Sequence, residues 1–208
     1  MGAKADVHDL LIIGGGINGA GIARDAAGRG LYVALCEMGD IAGATSWASS
    51  KLIHGGLRYL EHGEFRLVRE SLMERETLIR IAPQLTRPLR FVMPHSPAHL
   101  AHSRPAWMIS LGLWMYDHIG GNMTLPASET VSLEHTEFGA PLKTDYRRGH
   151  IYSDVQVDDA RLTVANVRDA ADRGALILAR TRLVSARREN NLWHCTLQSS
   201  DGKTCEQR

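Results

Sequence analysis

Gly14, Gly16 and Gly19 stand in a G-x-G-x-x-G pattern directly after the apolar run Leu10–Ile13. That spacing makes chemistry out of backbone. The first glycine turns too tightly for a side chain, the second lets the chain approach a pyrophosphate, and the third lets a helix pack closely on a strand. The small, Ala-rich stretch Ile17–Arg29 supplies that helix, and its positive end offers free N–H groups to phosphate. Glu37 lies 18 residues past Gly19, at the end of a second apolar strand, Leu31–Cys36. There a carboxylate accepts hydrogen bonds from ribose hydroxyls, and an acid rather than an arginine disfavours a 2′-phosphate and hence NADP. NAD and FAD share this unit. The loop that follows, GATSWASSKLIHGG, is rich in hydroxyls and flexible backbone suited to wrapping a long extended cofactor, which favours FAD.

These residues need an α/β frame to hold them. Gly30 suits the exit of the first helix, and residues 39–56 read as loop for most of their length. Phe65, Val68, Leu72 and Ile79 fall on one helical stripe, with Arg66, Arg69, Glu70, Glu74, Arg75 and Arg80 elsewhere. The pattern predicts a helix from Glu64 to Ile81, stopped by Pro83. Leu85–Pro105 is proline-rich and reads as irregular, with one strand at Leu89–Met93. Ala106–Tyr116 reads as helix, and Asn122–His150 as a polar, irregular insertion. Structure resumes after Tyr152. Asp158 or Asp159 caps a helix running to Asp172 and closed by Gly174, and strands follow at Ala175–Thr181, Leu183–Arg188 and Leu192–Leu197. Turn signals fall at Asn190-Asn191 and Asp201-Gly202.

A chain of 208 residues suffices for one domain with a real core. The formal net charge of +1 gives no global field for nucleic acid. Cys36, Cys195 and Cys205 are odd in number and lack metal-ligand spacing, so neither a metal site nor a disulfide framework is expected and the reducing cytoplasm is the default. The N-terminus lacks the features of a signal peptide. No window reaches the roughly 18 apolar residues of a spanning helix.

The longer motifs are more specific. GGGINGAGIARDAAGRG, ATSWASSKLIHGGLRYLEHGEFRLVRESL, RPAWMISLGLWMYDHIG, YSDVQVDDARL and TRLVSARRENNLW closely resemble the FAD-dependent glycerol-3-phosphate dehydrogenases, with the glycine-oxidase branch as neighbours. SSKLIHGGLRYLE is the most telling piece, because a general flavin motif does not require it. The resemblance implies a Rossmann-like flavoprotein fold with an inserted segment at 83–150 and a terminal β-meander. It also implies oxidation of sn-glycerol 3-phosphate to dihydroxyacetone phosphate, with electrons passed to quinone. Carried over by position, Gly14, Gly16, Ile17, Asn18, Gly19 and Glu37 hold the ADP half of FAD. Thr45, Ser46, Ser49, Lys51 and Leu52 line the pyrophosphate and flavin, His54, Gly55 and Gly56 lie beside the ring, and Arg58 and Tyr59 face the substrate. The implied partners are that substrate, a quinone and the inner membrane surface; a homo-oligomer is allowed.

Two readings stay open at His54: a base for the carbinol hydroxyl, or a loop residue that shapes the pocket. Arg58 is a phosphate ligand or a surface ion pair. The segment AWMISLGLWMY, flanked by His102, Arg104 and His118, is a core helix or one lying at a membrane interface. Trp47 stands where the family carries a small or polar residue. Family members are more than twice as long, so the sequence reads as an FAD-binding domain incomplete at its C-terminal end, without the substrate half and a C-terminal helical domain. A non-catalytic nucleotide-binding fragment, or a related amine or amino-acid oxidoreductase, is the alternative.

Overall fold

The computed structural model describes residues 7–95, 105–121 and 123–207. In chain order the first elements are β1 (Leu10–Ile13), α1 (Ile17–Gly28), β2 (Val33–Cys36), β3 (Leu52–Ile53), α2 (Phe65–Ile81), β4 (Thr86–Pro94) and α3 (Ala106–Ile119). They are followed by β5 (Glu129–Ser132), β6 (Arg148–Val157), α4 (Asp159–Asp172), β7 (Leu176–Leu178), β8 (Thr181–Glu189), β9 (Leu192–Ser199) and β10 (Thr204–Gln207). Short 3-10 turns occupy Thr45–Trp47 and Leu57–His62. The chain divides into two compact units, one made of the residues up to Ser50 and from Asp158 on, the other of Lys51–Val157.

The first unit is built on a parallel sheet in the order β1-β2-β7. All four residues of the central strand β2 are buried, which explains its unbroken apolar sequence VALC. Helix α1 turns Ala20, Ala23, Ala26 and Ala27 inward, and side chains this small let it approach its neighbours closely. Ile12, Val33, Leu35, Ala170 and Ala175 complete that core. Arg24 Nε reaches Asp169 Oδ2 of α4 at 2.6 Å. The sequence-based expectation of a cap for α4 resolves to Asp158, whose side chain accepts from Arg161 N–H. Gly30 and Gly174 both have positive φ where their helices exit. An antiparallel sheet β10-β9-β8 follows, its β8–β9 turn carried by Asn190 and Asn191, both with positive φ.

The second unit centres on β6. Strand β4 pairs along one of its edges, from Thr86 opposite Val157 to Pro94 opposite Gly149. The other edge is shared: β3 covers Val155 and Gln156, β5 covers Arg148–Ile151. Val68 and Leu72 of α2 pack with Tyr116 of α3.

Several expectations are corrected here. Within 83–150 the strand expected at Leu89–Met93 extends to the nine-residue β4 and the helix expected from Ala106 runs on to Ile119 as α3, whereas the stretch read as irregular holds β5, and β6 begins at Arg148 rather than after Tyr152. Pro88 fits inside β4 because that strand is an edge of its sheet, where a missing N–H costs no ladder bond. On α2, Phe65 is exposed, whereas Arg75, read as part of the polar face, is buried. Strand β7 is shorter than Ala175–Thr181, and β10 was not foreseen. His102, Arg104 and Asn122 lie outside the described residues.

Candidate functional site

In the first unit the glycine pattern forms the turn from β1 into α1. Gly14 has φ +110, a backbone conformation that a side chain strains. A Cβ on Gly19 would lie 2.0 Å from the Gly14 carbonyl oxygen, so only glycine lets the helix start this close to the strand. Gly16 occupies the N-cap position of α1 with no capping side chain, and the first turn carries no acid. Its missing Cβ leaves a concave cradle against Ser46, whose Oγ accepts from Ile17 N–H at 2.8 Å. Ile17 N–H is thus held by Ser46, and the amides that follow it, with the positive polarity of the helix end, fit an anion. The pyrophosphate of FAD therefore suits the residues present.

Glu37 is half-buried at the end of β2. Its Oε2 accepts from Gly15 N–H and its Oε1 from Gly39 N–H, both at 2.7 Å. A carboxylate has about four lone-pair directions, so two backbone donors orient the group and leave acceptor capacity for ribose hydroxyls. A cleft of about 630 Å³ opens beside it, lined in part by Met38, Asp40, Arg180, Arg182 and Gln198. Arg180 pairs with Asp40 at 2.9 Å. Sequence reasoning missed these lining residues, because Arg180, Arg182 and Gln198 sit on or beside β8 and β9, far along the chain.

The hydroxyl-rich loop is anchored from α4. Ser49 Oγ donates to Asp159 Oδ2 at 2.7 Å, and Asp159 is itself buried at the start of that helix. Thr45 is exposed, and Trp47 keeps its indole largely in solvent.

In the second unit Lys51 takes positive φ just before Leu52 starts β3. His54, Gly55 and Gly56 then form a tight turn. Gly56 N–H donates to His54 Nδ1 at 2.9 Å. Nδ1 is therefore the acceptor of that bond, and a neutral His54 carries its hydrogen on Nε2. Gly56 adopts φ +67 with the Tyr59 ring against it; a Cβ would lie 2.4 Å from Tyr59 Cδ2. Gly55 N–H donates to Tyr116 Oη at 2.7 Å. Arg58 follows on the exposed 3-10 turn. Tyr116, Asp154 and Arg75, which hold this turn from beneath, were not singled out in the sequence: Tyr116 and Asp154 lie inside longer motifs, but nothing in residue type or spacing pairs them with the turn.

A family profile described as DAO, FAD dependent oxidoreductase, matches residues 9–207. The chain is 59% identical over 198 residues to a glycerol-3-phosphate dehydrogenase of Pseudomonas aeruginosa, covering 95% of this chain and 37% of that protein. It is 55% identical over 199 residues to the D-erythritol 1-phosphate dehydrogenase of Brucella abortus, covering 96% and 39% respectively. Among solved structures, the glycerol-3-phosphate dehydrogenase from Bacillus halodurans complexed with FAD superposes with a TM-score of 0.68 at 27% identity, over 97% of this chain and 32% of that one. The chain thus spans little more than a third of the length of the curated relatives it matches.

Proposed function

Because the chain belongs to the DAO family of FAD dependent oxidoreductases, we propose that it forms the FAD-binding part of an enzyme that oxidises sn-glycerol 3-phosphate to dihydroxyacetone phosphate. The observation that carries the cofactor half of this reading is the side-chain-free glycine turn at the start of α1 with an oriented Glu37 carboxylate 2.7 Å from Gly15 N–H. The substrate half rests on the 59% identity to a glycerol-3-phosphate dehydrogenase across 95% of the chain. FAD, when bound, supplies the hydride acceptor. Gly14, Gly16, Ile17, Asn18 and Gly19 serve the pyrophosphate, with Thr45, Ser46, Ser49, Lys51 and Leu52 from the following loop. Gly55 and Gly56 let the backbone of the turn approach the flavin. His54, its Nδ1 engaged by Gly56 N–H, serves the site by donating from Nε2 to an acceptor oxygen. Arg58 offers a planar fork to the substrate phosphate, which a lysine cannot match, and Tyr59 flanks it.

A longer polyol phosphate is the second reading, favoured by the 55% identity to a D-erythritol 1-phosphate dehydrogenase. Both substrates use the same phosphate chemistry. The test is anaerobic mixing of the FAD-loaded protein, produced from its native gene, with glycerol 3-phosphate, erythritol 1-phosphate or plain glycerol. Flavin bleaching by glycerol 3-phosphate is the expected result, with none by glycerol. Preference for erythritol 1-phosphate would select the second reading, and bleaching by neither phosphate would overturn both. Arg58→Lys should raise KM about tenfold or more while flavin content stays constant, in line with the 1.5–3 kcal/mol of a charged hydrogen bond. Loss of flavin with KM unchanged would make Arg58 a cofactor ligand.

No helix among the described residues is long and apolar enough to cross a membrane. Helix α3 nevertheless exposes Trp107, Leu111 and Trp114 at helical spacing, the pattern of a surface that rests at a lipid interface. Peripheral attachment to the inner membrane surface, where a quinone takes up the electrons, is the corresponding proposal. Co-sedimentation with lipid vesicles, lowered when Trp107 and Trp114 are changed to serine, would support it. Wild-type protein that stays in the supernatant would exclude it.

A further inference from the structure

We infer that Tyr116 is the positioning residue of the His54–Gly56 turn, its buried hydroxyl replacing a β-ladder that ends one residue too early. Strand β3 pairs Leu52 with Gln156 and Ile53 with Val155, and there the pairing stops. Continued antiparallel register would set His54 opposite Asp154. The link at that point is made by side chains instead. Gly55 N–H donates to Tyr116 Oη at 2.7 Å, and Tyr116 Oη donates to Asp154 Oδ1 at 2.9 Å and approaches Oδ2 at 3.1 Å. Arg75 Nη1 completes the chain, donating to Asp154 Oδ1 at 2.8 Å and to the Ser153 carbonyl oxygen at 3.3 Å.

The polarity of this chain is fixed. Arg75 has only donors and an ionised Asp154 only acceptors, so the single phenolic proton of Tyr116 points at Asp154 and its lone pair at Gly55. Arg75, Tyr116 and Asp154 are all at most 4% exposed. Burial, reinforced by the Asp154 charge, pushes the Tyr116 phenol well above its ordinary range, so it remains protonated. Burial also raises the Asp154 carboxyl, against the opposing hydrogen bonds from Arg75 and Tyr116. The turn cannot slide on this support: a Cβ at Gly55 would lie 2.7 Å from Leu72 Cγ and 2.9 Å from Tyr116 Cε2. One hydroxyl thus sets the direction of the Gly55 peptide, and through it the Gly56 N–H that fixes the His54 ring.

The inference rests on the reading that this turn serves the flavin, and the experiment separates the two. His54→Ala, Tyr116→Phe and Asp154→Asn are compared in the FAD-loaded protein by visible circular dichroism of the bound flavin, far-UV dichroism of the fold, and anaerobic flavin reduction by glycerol 3-phosphate. Tyr116→Phe keeps the ring packing and removes the hydrogen-bond relay. The expected result is native far-UV dichroism, altered visible dichroism and flavin reduction about threefold to tenfold slower at saturating substrate with KM unchanged, the cost of one misdirected hydrogen bond. Should Tyr116→Phe not fold, Asp154→Asn decides: it keeps an acceptor for Tyr116 but weakens the grip of Arg75, and is expected to shift the visible dichroism in the same direction. If His54→Ala alters the flavin signals while both relay variants match wild type, the positioning role is overturned. If His54→Ala itself leaves the flavin signals unchanged, the placement of the turn at the flavin fails instead.

Discussion

Glu37 shows how one side chain can serve two tasks. Its oxygens each accept one backbone N–H, from Gly15 and Gly39, so the carboxylate is held in place before any ligand arrives. In the proposed role, a ribose would meet an acceptor that needs no reorganisation. Glu37→Ala should weaken FAD binding about tenfold to a hundredfold, matching the 1.5–3 kcal/mol of a charged hydrogen bond. Glu37→Gln should weaken it too, because an amide has one acceptor oxygen and would set its NH2 group against one of the two backbone donors. Isothermal titration of FAD into apoprotein reads both; a glutamine variant binding like wild type would mean the carboxylate is not oriented in this way. The position of Glu37 was legible because strand, glycine loop, helix and strand fix its spacing. The donors that orient it were not, since backbone amides carry no sequence signature. Arg75 was misread for a related reason: helical periodicity marks a charge as outward-facing, and only the fold reveals Asp154 waiting beneath it at 2.8 Å.

At the scale of elements, the strong periodicities held and the weak ones did not. Helices α1, α2 and α4 were visible through small-residue packing, an amphipathic stripe and an Asp158 cap. Strand β6 was obscured because its buried positions include His150, Ser153 and Asp154, polar residues that a hydrophobic pattern discounts. His150 ties three elements together: its Nδ1 lies 2.7 Å from His95 Nε2 just after β4, and its Nε2 lies 2.7 Å from Ser110 Oγ of α3. Burial, with the neighbouring His95, lowers the His150 imidazole below its ordinary value of 6.5. A folded-state pKa below the unfolded one means the unfolded chain binds more protons as the solution is acidified. Stability contributed by neutral His150 is therefore present above 6.5 and declines as pH falls below it. Melting temperatures recorded from pH 8 to pH 5 should fall toward the acid end, about as the linkage slope requires, and His150→Gln should flatten the fall. An equal decline in the variant would show that other groups set the acid sensitivity.

Across the whole molecule, a near-zero net charge leaves recognition to local geometry, and the local geometry most fully formed is the glycine cradle of the first unit. The chain spans about 37% of the Pseudomonas aeruginosa relative, so complete turnover is a property to be tested in the protein made from its native gene, and the proposed capture of flavin by the glycine turn is tested separately. Gly16 isolates that property. Its φ of −77 and ψ of 178 are open to any residue, and the contact an added Cβ would meet is the Ser46 hydroxyl oxygen at 3.1 Å. Gly16→Val should therefore fold with its melting temperature close to that of wild type while filling the space the pyrophosphate must enter. The decisive measurement is a titration of FAD into both apoproteins, followed by quenching of flavin fluorescence. Saturable binding by wild type, untouched by excess NADP and lost in Gly16→Val, is the expected result; a folded Gly16→Val protein that binds FAD as tightly as wild type would contradict the assignment of this loop as the site that holds the cofactor.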